Sequence, residues 1–140
     1  MTQPVKIVEK KLLSDNWYKL YKYTFETTDP QGNARKQVRE AYDRGNGATL
    51  LPYNLAQQTV VLVKQFRYPA YANGHHGMLI EACARLLDER DPITAIQHEA
   101  EEETGYRVER VQKVFEAFMS PGSVTEKLFF FVAEYTPIQK

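Results

Sequence analysis

The run Pro92-Ile93-Thr94-Ala95-Ile96-Gln97-His98-Glu99-Ala100-Glu101-Glu102-Glu103 carries the chain's densest group of carboxylates. At helical spacing, Glu99, Glu102 and Glu103 stand at i, i+3 and i+4 and project from one side, next to an apolar stripe of Ile93, Ile96 and Ala100. Like charges at i, i+4 disfavour a helix by roughly 0.2–0.5 kcal/mol per pair, so such a cluster is relieved by open water or by a cation. Hard divalent ions such as Mg²⁺ prefer oxygen ligands and bind through one or two carboxylates together with substrate phosphate. A solvated acidic face without a ligand is the competing reading of the same residues.

Flanking residues bound the helix that must hold these groups. Asp91 is placed as an N-cap, Pro92 fits the first turn, and Gly105 is placed to end the helix in a left-handed conformation. Ahead of it, the run from Met78 to Ala84 reads as a short buried strand, joined to the helix by a loop over 85–90. The order is strand, loop, acidic helix.

On these residues the segment 85–106 resembles the signature of the Nudix hydrolases, whose helical half reads Arg-Glu-U-x-Glu-Glu-x-Gly-U, with U bulky and apolar. His98-Glu99-Ala100-Glu101-Glu102-Glu103-Thr104-Gly105-Tyr106 matches that half. Further landmarks are Leu13-Ser14-Asp15-Asn16-Trp17, the run from Arg39 to Ala48, Lys64-Gln65-Phe66-Arg67, and the run from Met119 to Glu126. Together they resemble the nucleoside-diphosphate-sugar pyrophosphatase branch, and within it the GDP-mannose pyrophosphatases.

The resemblance implies Mg²⁺-dependent hydrolysis of GDP-mannose to GMP and mannose 1-phosphate, the metal offsetting the charge of the pyrophosphate. Glu99 and Glu103 match metal-ligating glutamates, and the backbone carbonyl of Ala84 matches a third ligand. Glu102 matches a residue that completes a second metal site or orients a water. Arg85 and Leu86 at the start of the signature, Arg67, Glu126, Arg39, Glu40 and Trp17 fall on substrate-binding positions, Trp17 being suited to stacking on a base. On their own, Arg67 reads equally as a surface arginine and Trp17 as a core aromatic.

Three departures bear on activity. Arg85 stands where the signature has glycine, and a long cationic side chain there would obstruct substrate or compete with Mg²⁺. The second departure is the middle of the signature, where Asp91 stands near the earlier glutamate at a spacing that slips by one residue and the basic residue is changed as well. His98 replaces a basic residue and is mostly uncharged at neutral pH if unperturbed. The third departure is the end of the chain at Lys140, where members of the branch continue with a further acidic group, a basic contact and a final helix. Two alternatives follow: a catalytically impaired remnant that binds nucleotide sugar or a partner subunit, and an ADP-ribose or ADP-sugar pyrophosphatase.

With 140 residues, 18 basic and 18 acidic, the chain is sized for one domain and has no net charge to favour nucleic acid or a membrane surface. No apolar run reaches membrane-spanning length and no secretory signal is visible, which predicts a cytoplasmic protein. The single Cys83 excludes an internal disulfide and suits a buried core position. His75-His76, between Gly74 and Gly77, reads as a polar turn in preference to a metal site.

Strand patterns recur along the chain. Tyr21, Tyr23 and Phe25 alternate with polar residues, and Asp29-Pro30-Gln31-Gly32-Asn33 predicts a turn. Further strands are predicted near 48–53, 59–66, 78–83, 108–118 and 127–135, the apolar run from Leu128 to Ala133 suiting a strand covered on both faces. The expectation is an α+β fold, a Nudix-type α/β/α sandwich with a mixed sheet, an N-terminal β arm over 1–45 and a Nudix domain over 46–140 that lacks the final strands and helix. By resemblance the arm exchanges in a homodimer, so that Trp17, Arg39 and Glu40 act in trans.

Overall fold

The computed structural model describes residues 4–88 and 91–137, so Glu89 and Arg90 of the predicted loop, and the ends of the predicted arm and domain, lie outside the described residues. The chain divides into two compact units, one within Met1–Gly45 and Phe118–Glu126, the other within Asn46–Ala117 and Lys127–Lys140.

The first unit is an antiparallel meander of β1 (Val5–Asp15), β2 (Lys19–Thr28) and β3 (Ala34–Asp43), with β2 in the centre. The predicted turn joins β2 to β3. Asp29 accepts backbone N–H bonds from Gln31 at 3.0 Å and Asn33 at 2.8 Å, which lowers its pKa from the ordinary carboxylate value. Val5, Ile7, Val8, Leu12 and Leu13 are exposed on β1, leaving apolar surface on an edge strand. The segment 118–126 joins this unit through Tyr42, whose N–H donates to the Ser123 carbonyl at 2.8 Å and whose carbonyl accepts from the Thr125 N–H at 3.1 Å.

The second unit holds β4 (Gly47–Asn54), β5 (Thr59–Val60), β6 (Val63–Phe66), α1 (Tyr68–Ala72), β7 (Met78–Glu81), β8 (Cys83–Leu86), α2 (Pro92–Thr104), β9 (Arg107–Phe118, whose last residue falls in the first unit) and β10 (Lys127–Thr136). Its main sheet is mixed, in the order β5-β4-β10-β9, with β8 also paired to β4. β4 runs parallel to β10 and antiparallel to β5 and β8. Ala48 and Leu50 of β4, Cys83 of β8, Ile96 and Ala100 of α2, Val108 of β9, and Phe131, Ala133 and Tyr135 of β10 form one core. At the start of β4, a Cβ on Gly47 would lie 2.5 Å from a Leu128 methyl and 3.0 Å from the Arg85 carbonyl, so close strand approach requires glycine there.

Several elements differ from the pattern-based expectation. The predicted strand over 59–66 is two strands in different sheets: β5 pairs with β4, whereas β6 pairs with β7 in a separate two-stranded ribbon. The predicted strand over 78–83 likewise breaks at Ala82, and β8 continues to Leu86, into the segment expected to be loop. Period-two alternation records which face a residue takes but not which neighbour its backbone joins. Ile80 is exposed, since β7 belongs to the ribbon and not to the covered sheet. Helix α1 was not expected; Pro69 in its first turn is the one sequence signal for it. Among the described residues no helix is long and apolar enough to cross a membrane.

Candidate functional site

Helix α2 begins and ends where its flanks predict. The Asp91 carboxylate accepts from the Thr94 N–H at 3.0 Å and the Thr94 hydroxyl at 3.1 Å, and Gly105, at φ 73°, donates its N–H to the Glu101 carbonyl at 3.0 Å. Asp91→Ala is expected to cost about 0.5–2 kcal/mol by removing the cap. Urea denaturation checks this, and an unchanged midpoint would mean that water replaces the carboxylate at no cost.

The helix packs on β8 and β4 through Ala95, Ile96 and Ala100. Ile93, expected in the apolar stripe, is 40% exposed, and Ala95 takes its place in the buried set. The burial of Ile96 and Ala100 directs the neighbouring face, with Glu99 and Glu103, along β8. Glu103 has two polar neighbours. The Gln65 amide donates to it at 3.4 Å, and the Cys83 thiol lies near enough to feel its charge. Burial first, then the charge and hydrogen bond of Glu103 and the charge of Glu99, push the Cys83 pKa up to about 12. Cys83 is therefore a neutral thiol at physiological pH, which suits a buried donor and not a nucleophile.

Glu99 is engaged by a cation from the chain itself. Arg85 Nη1 lies 2.9 Å from Glu99 Oε2, and Arg85 Nη2 lies 3.8 Å from Asp88 Oδ2, with side-chain exposures of 25% for Arg85 and 21% for Glu99. Arg85 adopts an ordinary strand conformation opposite Ala48, since among the described non-glycine residues only Gln58 and Arg110 have positive φ. The backbone at this position thus makes no demand for glycine; what the arginine changes is the occupant of the carboxylate. Ala84 is paired with Thr49 in the β4–β8 ladder, and Leu86 with Gly47. Glu102 is exposed, 3.5 Å from His98 Nδ1.

As a metal site, α2 and β8 provide oxygen donors of the kind a hard divalent cation takes, with Glu99 and Glu103 one helical turn apart on one face. Among the described residues, no group of three His, Cys, Asp or Glu side chains is already gathered to hold an ion. The donor set fits in kind, and one of its carboxylates is occupied by a guanidinium.

Arg67 follows β6 and is paired with Glu81 of β7 at 2.8 Å. An open groove of about 480 Å³, lined by Val61–Gln65, Glu103, Thr104 and Tyr106, runs beside the end of α2. His75 and His76 accept backbone N–H bonds at their Nδ1 atoms from Gly77 at 3.1 Å and Met78 at 3.2 Å, as a polar turn requires.

The remaining predicted residues belong to the first unit. Arg39 and Glu40 line an open groove of about 520 Å³ with Phe118 and the turn Pro121–Thr125, so the structure brings them together with the segment that leads into Glu126. Glu126 itself is only 12% exposed and is held by Arg44 at 2.9 Å, and the Arg44 guanidinium lies 5.3 Å from the centre of the Tyr18 ring. Trp17 is 85% exposed and is therefore not a core aromatic. Gln65 and Cys83 beside Glu103, and Arg44 beside Glu126, are neighbours that residue type alone did not assign. The signal for the first two was their position in strands flanking the acidic helix.

Comparison with known proteins adds sequence to this geometry. The family model described as the GDP-mannose pyrophosphatase NudK N-terminal domain matches residues 4–42. A GDP-mannose pyrophosphatase of Yersinia pestis (strain Pestoides F) is 57% identical over 141 residues, covering 100% of this chain and 71% of that protein. One from Pectobacterium atrosepticum is 57% identical over 136 residues, covering 96% of this chain and 70% of its own length. In fold, the chain is similar to a crystal structure of an ADP compounds hydrolase, with a TM-score of 0.72 at 14% identity, over 100% of this chain and 72% of the other.

Proposed function

Because the chain belongs to the Nudix hydrolase family, alongside the GDP-mannose pyrophosphatases, we propose that it hydrolyses the pyrophosphate bond of a nucleoside diphosphate sugar, with GDP-mannose as the substrate and GMP and mannose 1-phosphate as products. The observation that carries this reading is 57% identity along the whole chain to a protein of that name. The placement of Glu99 and Glu103 on one face of α2 against β8 supports it.

In this reading water adds to one phosphorus, the bond from that phosphorus to the bridging oxygen breaks, and the bridging oxygen leaves on the other phosphate. Mg²⁺ is the proposed ion; when bound, it supplies positive charge against the pyrophosphate oxygens. Glu99, Glu103 and the Ala84 carbonyl would hold it. Glu102, exposed on the next turn, has room to orient the attacking water. Arg67 exchanges Glu81 for a substrate phosphate, a charge-assisted contact of the same type. Arg39 and Glu40, which line a groove of the first unit with the Pro121–Thr125 turn, are proposed substrate contacts together with Glu126 and the exposed Trp17, which is suited to stacking on a base; in a homodimer Trp17, Arg39 and Glu40 would serve the partner's site. The N-terminal arm over 1–45, which contains the β1–β3 meander, is the proposed homodimer arm, consistent with the apolar residues exposed on β1.

One observation favours a second reading, a nucleotide-sugar binder without turnover: the Arg85–Glu99 pair takes up a carboxylate that the reaction needs. Release of GMP and mannose 1-phosphate by the purified chain, with Mg²⁺ and with EDTA, separates the two. Turnover is expected with Mg²⁺ and not with EDTA; binding without turnover by the folded chain would support the second reading. ADP-ribose and ADP-mannose, assayed alongside, are expected to be poorer substrates, and a preference for either would move the base assignment.

A further inference from the structure

We propose that Arg85 is an internal competitor of the divalent cation: its guanidinium neutralises Glu99 in the metal-free protein and must leave that carboxylate before a cation can be held there. This rests on the assignment of Glu99 and Glu103 as metal ligands. Without a cation, two carboxylates one turn apart on α2 repel each other, and Arg85 offsets that repulsion by pairing with Glu99 from the adjacent strand at 2.9 Å. The pair is about three-quarters buried on both sides, so water screens it less than a surface ion pair and its loss is felt.

The guanidinium already faces a second carboxylate. Asp88 lies 3.8 Å from the other Nη, on the loop side of β8, so a shift of the side chain toward that carboxylate frees Glu99 without leaving the arginine isolated. Metal binding is then an exchange of one cation for another at Glu99 and not a simple addition. Its apparent affinity is lowered by the fraction of molecules in which Arg85 holds the carboxylate.

Direct binding of Mn²⁺ to the intact chain, followed by electron paramagnetic resonance of the free ion without substrate, tests this in wild type, Arg85→Gln and Glu103→Gln. Arg85→Gln removes the charge and shortens the side chain while keeping a polar hydrogen-bonding group at the position. It is expected to bind Mn²⁺ about five- to thirtyfold more tightly, as suits a pair between the exposed and buried extremes. It is also expected to melt at a lower temperature than wild type without metal and to recover the difference when Mn²⁺ is added, which a merely structural role would not produce. Equal or weaker Mn²⁺ binding by a folded Arg85→Gln, with binding lost in Glu103→Gln, would overturn the competition while leaving the metal site in place. Mn²⁺ binding that is indifferent to Glu103→Gln, or no binding by any variant, would overturn both.

Discussion

Glu103→Gln is expected to abolish most Mg²⁺-dependent release of GMP while leaving the fold intact. Loss of an outer partner of a metal ligand already costs about 10–100-fold in affinity or activity, so loss of a charged ligand is expected to exceed that. Glutamine is close to glutamate in size and retains a carbonyl oxygen to accept from Gln65. Away from buried apolar contacts, such a change is expected to alter stability by no more than about 0.5 kcal/mol. Product release and a urea titration on the same preparation provide the check. Undiminished turnover would remove Glu103 from the ligand set, and a parallel collapse in stability would assign it a structural role instead.

The largest effect on stability is expected at Ile96. Its side chain is fully buried and, with Ala100, seats α2 against Leu50 and Cys83 in the core shared by β4 and β8. Ile96→Ala removes packed methyl groups and leaves a cavity, for an expected cost of about 2–5 kcal/mol. Because the same helix carries Glu99 and Glu103, the loosened seat is also expected to lower turnover at temperatures where the protein remains folded. Urea unfolding followed by circular dichroism measures the first effect. A cost below that range would show that the surrounding side chains close over the gap.

The acidic helix was the most legible part of the chain because its signals are local: cap, proline, apolar spacing and terminal glycine lie within a single segment and agree. Strand positions were legible for the same reason, as seen in β4, β9 and β10. What failed was anything set by a partner distant in sequence. The division of 59–66 between two sheets depends on β4 and β7, and no residue within the segment records it. Ile93 looked equivalent to Ile96 by spacing but lies at the first turn, where the helix reaches past the edge of what it covers. For the proposed site, residue types nominated the carboxylates, but not that Arg85 reaches Glu99 or that Arg44 holds Glu126. Those are facts about side-chain reach across elements, which sequence spacing does not contain.

The parallel pairing of β4 with β10 also sets a constraint on the order of assembly. During synthesis Gly47–Asn54 emerges long before Lys127–Thr136, so one side of β4 must wait for a strand encoded far downstream. The entropy of closing that long loop is spent before the pairing returns anything, which places formation of the second unit's core among slow, nonlocal folding events. Until β10 arrives, Leu50 lacks part of the apolar cover it has in the finished sheet, and the nascent chain presents a sticky strand to its surroundings.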